Sequence, residues 1–269
     1  MKMKKYVSII LKLAFLTFTA CLLLSLNKFQ TPPIEKVIDF CPISGGMSGA
    51  EIGIVKDNEI RFYFNQILSD YSITRWQEAH RLHFTLPPDC KDVIEKVFGR
   101  QGFGLIIDDR IIFYELLDSD TYAGLYYGWK ESTNGTFFLP PNCQGVITLF
   151  NKIGVIVDNV IKFYWFDTDQ NIWVVMPQIE YTLPPDCTDV FGYSDNVLGI
   201  VTGSNLKFYY NWRDNDWAEQ IDWEFNLPDD YQCCFTTYFD WFCVSTRDKI
   251  KFYESAKSWA EITEIEFYK

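Results

Sequence analysis

From Gly53 onward the chain repeats one arrangement of hydrophobic and polar positions five times. Each copy opens on a hydrophobic run, passes a polar pair and ends on Phe-Tyr. The copies are GIVKDNEIRFY (Gly53 to Tyr63), GLIIDDRIIFY (Gly104 to Tyr114), GVIVDNVIKFY (Gly154 to Tyr164) and GIVTGSNLKFY (Gly199 to Tyr209). The fifth, CVSTRDKIKFY from Cys243 to Tyr253, has cysteine in the glycine's place. Short runs rich in β-branched and aromatic residues predict strands. Asp-Asn, Asp-Asp or Gly-Ser between two such runs predicts a hairpin turn, because these residues tolerate positive φ. In Ile161-Lys162-Phe163-Tyr164 a period of two sends Ile161 and Phe163 to one face and Lys162 and Tyr164 to the other.

The second half of each unit is as regular. Trp76, Trp129, Trp173 and Trp217 each stand ten residues before the Leu of a Leu-Pro pair, at Leu86, Leu139, Leu183 and Leu227. An aromatic follows each Trp by eight residues (Phe84, Phe137, Tyr181, Phe225), as Phe267 follows Trp259. A third strand is expected at the Trp, and a fourth at the Phe-x-Leu-Pro end or just after the following Cys. Leu-Pro-Pro breaks the ladder, since proline has no N–H to donate, and marks the crossing between units. Four short antiparallel strands in a unit of about 45 residues is the blade pattern of a β-propeller. A lone unit cannot bury both of its apolar faces, so neighbours must cover them, and a closed ring leaves no exposed end.

The expected fold is therefore all-β, a five-bladed propeller of four-stranded antiparallel blades over 41–269. Its units run 41–89, 90–142, 143–186, 187–232 and 233–269, and residues 31–40 form a linker with a strand at 35–40 that helps to close the ring. The run Cys187-Thr188-Asp189-Val190-Phe191-Gly192, with a strand hairpin and a Trp after it, is similar to hemopexin-type blades. The repeat length also resembles the five-bladed tachylectin-like lectins. Hemopexin domains have four blades, so that likeness carries over no heme or metal residues, and neither a Trp-Asp nor a kelch Gly-Gly pattern is present.

Residues 1–30 (MKMKKYVSIILKLAFLTFTACLLLSLNKFQ) read as an address. Lys2, Lys4 and Lys5 precede an apolar stretch over 6–26, close to the length that spans a bilayer. The basic end stays in the cytoplasm and sends the rest across. Three fates remain open: cleavage as a signal peptide, retention as a membrane anchor, or lipidation at Cys21 in Phe18-Thr19-Ala20-Cys21. The expected location is extracytoplasmic, whether secreted, periplasmic or anchored.

Composition narrows the function. A net charge of −12 repels phosphate backbones, which argues against nucleic acid as a partner. Aromatics at 18% exceed what disorder allows and suit strand packing. Cys41, Cys90, Cys143, Cys187 and Cys233 recur once per unit, with Cys234 and Cys243 extra. Rotation about the ring keeps equivalent thiols apart, so they read as small buried hydrophobes; Cys233 or Cys234 with Cys243 is the pair with hairpin spacing. His80 and His83 fall on opposite faces of a strand, and Asp167-Thr168-Asp169-Gln170-Asn171 opens like a calcium loop but has Ile172 and Gln178 where glycine and a bidentate acid belong. No metal or cofactor is expected. The repeated tryptophans (Trp76, Trp129, Trp173, Trp217, Trp259) read as core, and ligand contact is expected from aromatics that break the repeat: Tyr122, Tyr126 and Tyr127 in the long connection of the second unit.

The reading that follows is a non-catalytic binding protein with a glycan or protein ligand. A five-bladed glycoside hydrolase is the alternative; it needs two facing carboxylates, and Glu115 and Asp240 are non-repeated acids that nothing in the sequence pairs. A membrane-anchored structural or assembly factor is the third.

Overall fold

Hairpins form where the turn chemistry calls for them. Asp57-Asn58 and Asp158-Asn159 take positive φ at both positions (52° and 63°, 50° and 62°), and Gly203 does so at 61°. Such turns match the right-handed twist of the strands they join. The computed structural model describes residues 36–39, 51–64, 76–80, 82–95, 102–116, 128–133, 135–212, 216–237, 241–254, 259–262 and 267–268. Residues 1–30, expected to act as an address and containing Cys21, and also Cys41, lie outside the described residues.

Five antiparallel sheets succeed one another along the chain. Blade 1 holds β1 (Lys36–Asp39), β2 (Glu51–Lys56), β3 (Glu59–Phe64), β4 (Gln77–Glu78) and β5 (Phe84–Thr85). Blade 2 holds β6 (Cys90–Glu95), β7 (Gly102–Ile107), β8 (Arg110–Leu116), β9 (Trp129–Glu131) and β10 (Phe137–Phe138). Blade 3 holds β11 (Gly145–Leu149), β12 (Lys152–Val157), β13 (Val160–Asp167) and β14 (Ile172–Thr182). Blade 4 holds β15 (Cys187–Ser194), β16 (Val197–Thr202), β17 (Asn205–Asn211), β18 (Trp217–Glu219) and β19 (Phe225–Asn226). Blade 5 holds β20 (Tyr231–Thr237), β21 (Trp241–Thr246), β22 (Lys249–Glu254), β23 (Ala260–Glu261) and β24 (Phe267–Tyr268).

The Trp segment and the Phe-x-Leu segment both pair with the Phe-Tyr strand, so they are two halves of one outermost strand. The segment after each crossing is the innermost strand of the next blade. Register also corrects the cysteine spacing: Tyr231 lies opposite Thr246 as Cys90 lies opposite Ile107 and Cys187 opposite Thr202. Tyr231, not Cys233, holds the repeated place in blade 5.

The crossing is pinned at both ends. The Leu amide donates back to the hairpin turn of its own blade (Leu86 to Asn58 O, Leu183 to Asn159 O and Leu227 to Ser204 O, each 2.8 Å). The residue at the cysteine position then closes a turn over the first proline, as in Cys90 to Pro87 O at 3.0 Å and Tyr231 to Pro228 O at 3.1 Å.

The innermost strands stand side by side around an axis, β1 beside β6, β6 beside β11, β11 beside β15, β15 beside β20, and β20 beside β1. Five cores fill the gaps between blades. Phe62 of blade 1 packs with Phe103 and Leu105 of blade 2, and Phe113 of blade 2 with Ile153 and Val155 of blade 3. Phe163 of blade 3 meets Leu198 and Ile200 of blade 4, and Phe208 of blade 4 meets Phe242 and Val244 of blade 5. The last core joins Phe252 and Phe235 of blade 5 to Ile52 and Ile54 of blade 1. The ring is closed. Among the described residues no strand is exchanged between blades, so side-chain packing alone seals the last gap.

The repeated glycine has a steric cause. A Cβ on Gly154 would stand 2.7 Å from Ile147 Cγ1 and 2.9 Å from Ile161 Cγ2, and one on Gly104 would meet Ile94 and Ile111 in the same way. The innermost strand lays a large side chain over this position, and bare backbone makes room for it.

The Phe-Tyr tyrosines give the fold a pH signature. Burial first, and then the carboxylates Glu78, Glu131, Glu180 and Glu219, raise Tyr63, Tyr114, Tyr164 and Tyr209 above the usual value of 10.0. Groups raised on folding favour the native state below their unfolded pKa and lose that contribution as pH climbs through the folded one. Denaturation midpoints are therefore expected to hold to about pH 9 and fall steeply above about pH 10, in step with tyrosinate absorbance. A midpoint unchanged to about pH 11 would contradict this assignment.

Candidate recognition site

The repeated tryptophans are wedges between blades. Each stacks on the Phe of the preceding blade's Phe-Tyr pair: Trp173 on Phe113 at 5.7 Å, Trp217 on Phe163 at 5.6 Å, Trp259 on Phe208 at 5.0 Å. Trp129 lies 4.9 Å from Phe62, and Trp76 stacks on Phe252 at 5.7 Å across the closing gap. Their indoles lie within the cores that hold the ring together.

Tyr122, Tyr126, Tyr127 and Asp240 lie outside the described residues. Glu115 is buried, with Lys130 Nζ 3.1 Å from Oε1 and Ser132 Oγ donating to Oε2 at 3.5 Å. His83 Nδ1 lies 3.0 Å from His80 O, and His80 Nδ1 lies 3.3 Å from Glu78 Oε1. Asp167 Oδ1 accepts from the Asp169 and Gln170 amides at 2.9 and 3.0 Å, which shapes the tight β13–β14 turn. Among the described residues no cluster of His, Cys, Asp or Glu is set to hold a metal ion.

Cys143, Cys187 and Cys234 are free thiols. Cys90, Cys143 and Cys187 each donate Sγ–H to the carbonyl two residues on, at 3.3 to 3.5 Å. Burial raises Cys143 and Cys187, which suppresses the reactive thiolate. In blade 5, Cys243 lies opposite Phe235 and faces blade 1, whereas Cys234 faces blade 4, so the blade itself separates them.

The two ends of the ring differ. One end carries the tight β-turns and Leu-Pro crossings; the other carries the connections from first to second strand and from third strand to the outermost. At this second end, between blades 3 and 4, polar and aromatic groups gather. Lys152 is buried, and its Nζ reaches across the seam to Asp195 O at 2.7 Å and Asn196 Oδ1 at 2.9 Å. Burial lowers its pKa, and Asp195 offsets part of that. Asn211 N donates to Asn196 O at 2.9 Å, and Asn211 Nδ2 is sealed from solvent without a protein partner.

Aromatic side chains are exposed at this end of blades 3 and 4. Trp165 lies directly across from Lys152 and from Val174, so the three share one face of blade 3, and Trp165 is 41% exposed. Trp212 follows Asn211 on blade 4, is 66% exposed and lies 4.2 Å from Tyr210, which packs on the side of blade 4 toward blade 5. Phe150, at the β11–β12 turn, is exposed as well. Trp165 stands where blades 1 and 4 carry Phe64 and Tyr210, whereas no other repeat has an aromatic three residues after its Phe-Tyr, the place of Trp212. A seam of this kind offers flat apolar faces beside fixed amide and carbonyl groups, a combination suited to binding.

Blade 3 differs at its outer edge too. The Phe-Tyr tyrosine pairs with the residue two after the Trp in every blade: Glu78, Glu131, Glu219 and Glu261 in four of them, Val175 in the third. The repeat Trp-x-Glu was readable in the chain, and its loss in Trp173-Val174-Val175 is the signal that marks this blade.

No family model matches the chain, and no curated protein does. Among solved structures, a Lactobacillus plantarum protein is similar at 10% identity and a TM-score of 0.40, covering 78% of this chain and 66% of that one. Kluyveromyces marxianus Hsv2 is similar at 8% identity and 0.39, covering 89% and 66%. Kluyveromyces lactis Hsv2 gives 9% and 0.37, covering 81% and 59%. The chain thus spans less than two thirds of the length of each of these structures.

Proposed function

We propose that this chain is a non-catalytic binding propeller that acts outside the cytoplasm and takes a glycan or protein ligand at the seam of blades 3 and 4. The observation that carries the reading is a contrast. The five repeated tryptophans are wedged between blades, while Phe150, Trp165 and Trp212 are exposed at the end of blades 3 and 4 that also carries Lys152, Asn196 and Asn211. Exposed aromatics beside fixed polar groups are what a recognition surface needs and what a core does not. The extracytoplasmic address rests on the lysine-flanked apolar stretch over 6–26.

The test is a parallel screen. The full chain and a Trp165→Ala/Trp212→Ala variant are probed against a glycan array and a displayed random-peptide library. The full chain is expected to select ligands of one class, and the double variant to bind them at least tenfold more weakly with little change in unfolding midpoint. Selection that survives in the variant, or none from either source, would overturn the seam as the binding surface.

A further inference from the structure

Edge strands are a hazard because their outward N–H and C=O groups template pairing with another strand, and charged side chains on the edge are the usual deterrent. Four blades of this ring carry that deterrent. Their outermost strands near the Trp are two or three residues long and end on glutamate: Gln77–Glu78, Trp129–Glu131, Trp217–Glu219 and Ala260–Glu261. Glu219 and Glu261 are held there by Lys207 at 2.8 Å and Lys251 at 3.0 Å.

Blade 3 is built differently in three respects. Its outermost strand β14 spans 11 residues, and its pairing to β13 shifts register between Val175 and Glu180, around Pro177, so the regular edge is the stretch Ile172 to Val175. A tight turn at 168–171 joins it to β13, so Asp167↔Ile172 prolongs the ladder one pair beyond Leu116↔Trp129 and Asn211↔Trp217, the corresponding last pairs of blades 2 and 4. The stretch Ile172-Trp173-Val174-Val175 carries no charge, and Ile172 and Val175 are 48% and 46% exposed. Register fixes the backbone as well. In the other blades the amide three residues after the Trp turns inward, to Phe62 O, Phe113 O, Phe208 O and Phe252 O, at 2.7 to 2.8 Å. Blade 3 shares the pairing of tyrosine with the second residue after the Trp, and the same alternation turns the N–H and C=O of Val175 away from β13.

We infer that the outer edge of blade 3 is a docking site for an extended strand of a partner protein, one with β-branched or apolar residues flanked by lysine or arginine. The inference rests on the binding reading above and narrows its ligand to polypeptide. Charge selects the occupant. Asp167, Asp169 and Glu180 bracket the edge, no Lys or Arg occurs from Thr168 to Thr182, and the chain carries −12 overall. A second copy would bring the same acids to the same edge, whereas a basic strand would be steered to it. Main-chain hydrogen bonds would supply affinity. Alternate side chains of the incoming strand would meet Ile172, Val174 and Trp165 on one face and Val175 on the other.

The probe is a dye-labelled peptide, Lys-Lys-Val-Thr-Val-Thr-Val-Lys-Lys, followed by fluorescence anisotropy on the full chain. Val175→Glu restores the residue that four sister blades carry, so it is expected to fold normally and to weaken binding at least tenfold. Val175→Thr keeps a neutral β-branched edge and is expected to bind within about threefold of the wild type. A peptide with proline at its centre, or with glutamates for its lysines, is expected to bind at least tenfold more weakly than the parent. Equal binding to wild type and Val175→Glu, or none to either, would overturn the edge as a strand site. So would a wild-type dimer in sedimentation that Val175→Glu splits, which would assign the edge to self-pairing. If the edge fails while Trp165→Ala/Trp212→Ala still loses its selected ligand, the binding reading stands without it.

Discussion

Phe208→Ala is expected to destabilise the ring by about 3–5 kcal/mol, the range for truncating a buried aromatic with incomplete collapse around the void. Phe208 is fully buried between blades 4 and 5. Its ring stacks on Trp259 at 5.0 Å and meets Tyr193, Trp223 and Phe242 edge-on at 5.2, 5.8 and 6.0 Å. Those partners belong to two blades held by different backbone ladders, so they cannot all close on the gap. At this chain size the loss corresponds to a melting midpoint lower by ~10 °C. Denaturant melts of Phe208→Ala and the exposed control Trp212→Ala would check it, the control staying within about 0.5 kcal/mol of wild type. Equal, small effects would mean that the blades do not depend on these interlocked rings.

Gly154→Val is the second large effect, and it acts by excess volume. The added Cβ alone meets Ile147 at 2.7 Å and Ile161 at 2.9 Å, inside van der Waals contact. Both neighbours are buried, so neither can swing into solvent, and the cost is expected at about 1–3 kcal/mol. Ile147→Ala in the same chain vacates the space, and the two substitutions together are expected to cost less than their sum by about 0.5–3 kcal/mol. Strict additivity in that double-mutant cycle would show that Ile147 does not fold over the glycine.

Much of this architecture was legible because it is local and repeated. The hairpin turns follow from residues that accept positive φ, and the alternation in Ile161-Lys162-Phe163-Tyr164 matches the burial of Ile161 and Phe163 at the blade 3–4 core. Strand order was harder to read. Two pieces separated by a few residues, such as Trp217–Glu219 and Phe225–Asn226, look like two strands until register places both against β17. Tyr231 was hidden because Cys233 imitates the repeated spacing two residues too late.

The site was less legible. Loop length pointed to 115–128, while exposure points to Trp165 and Trp212, which follow Phe-Tyr closely and resemble more of the same aromatic strand. The seam explains Trp165, which lies across from Lys152, whose Nζ crosses to blade 4. Lys152 and Asn196 are 44 residues apart, a distance no motif spans. The valine at 175 could be seen in advance only by comparing each Trp-x-Glu with its sisters. One missing charge is a faint mark.

Closure of the ring can be measured as a distance. Arg61, Lys207 and Lys251 occupy the same place in blades 1, 4 and 5, each just before its Phe-Tyr pair. Spin labels introduced at these positions through a non-natural amino acid would report pairwise separations by pulsed electron resonance. Five blades standing around an axis predict that the pair at 61 and 251 is as close as the pair at 207 and 251. A separation for 61 and 251 several times larger would place the first and last blades at opposite ends of an open row.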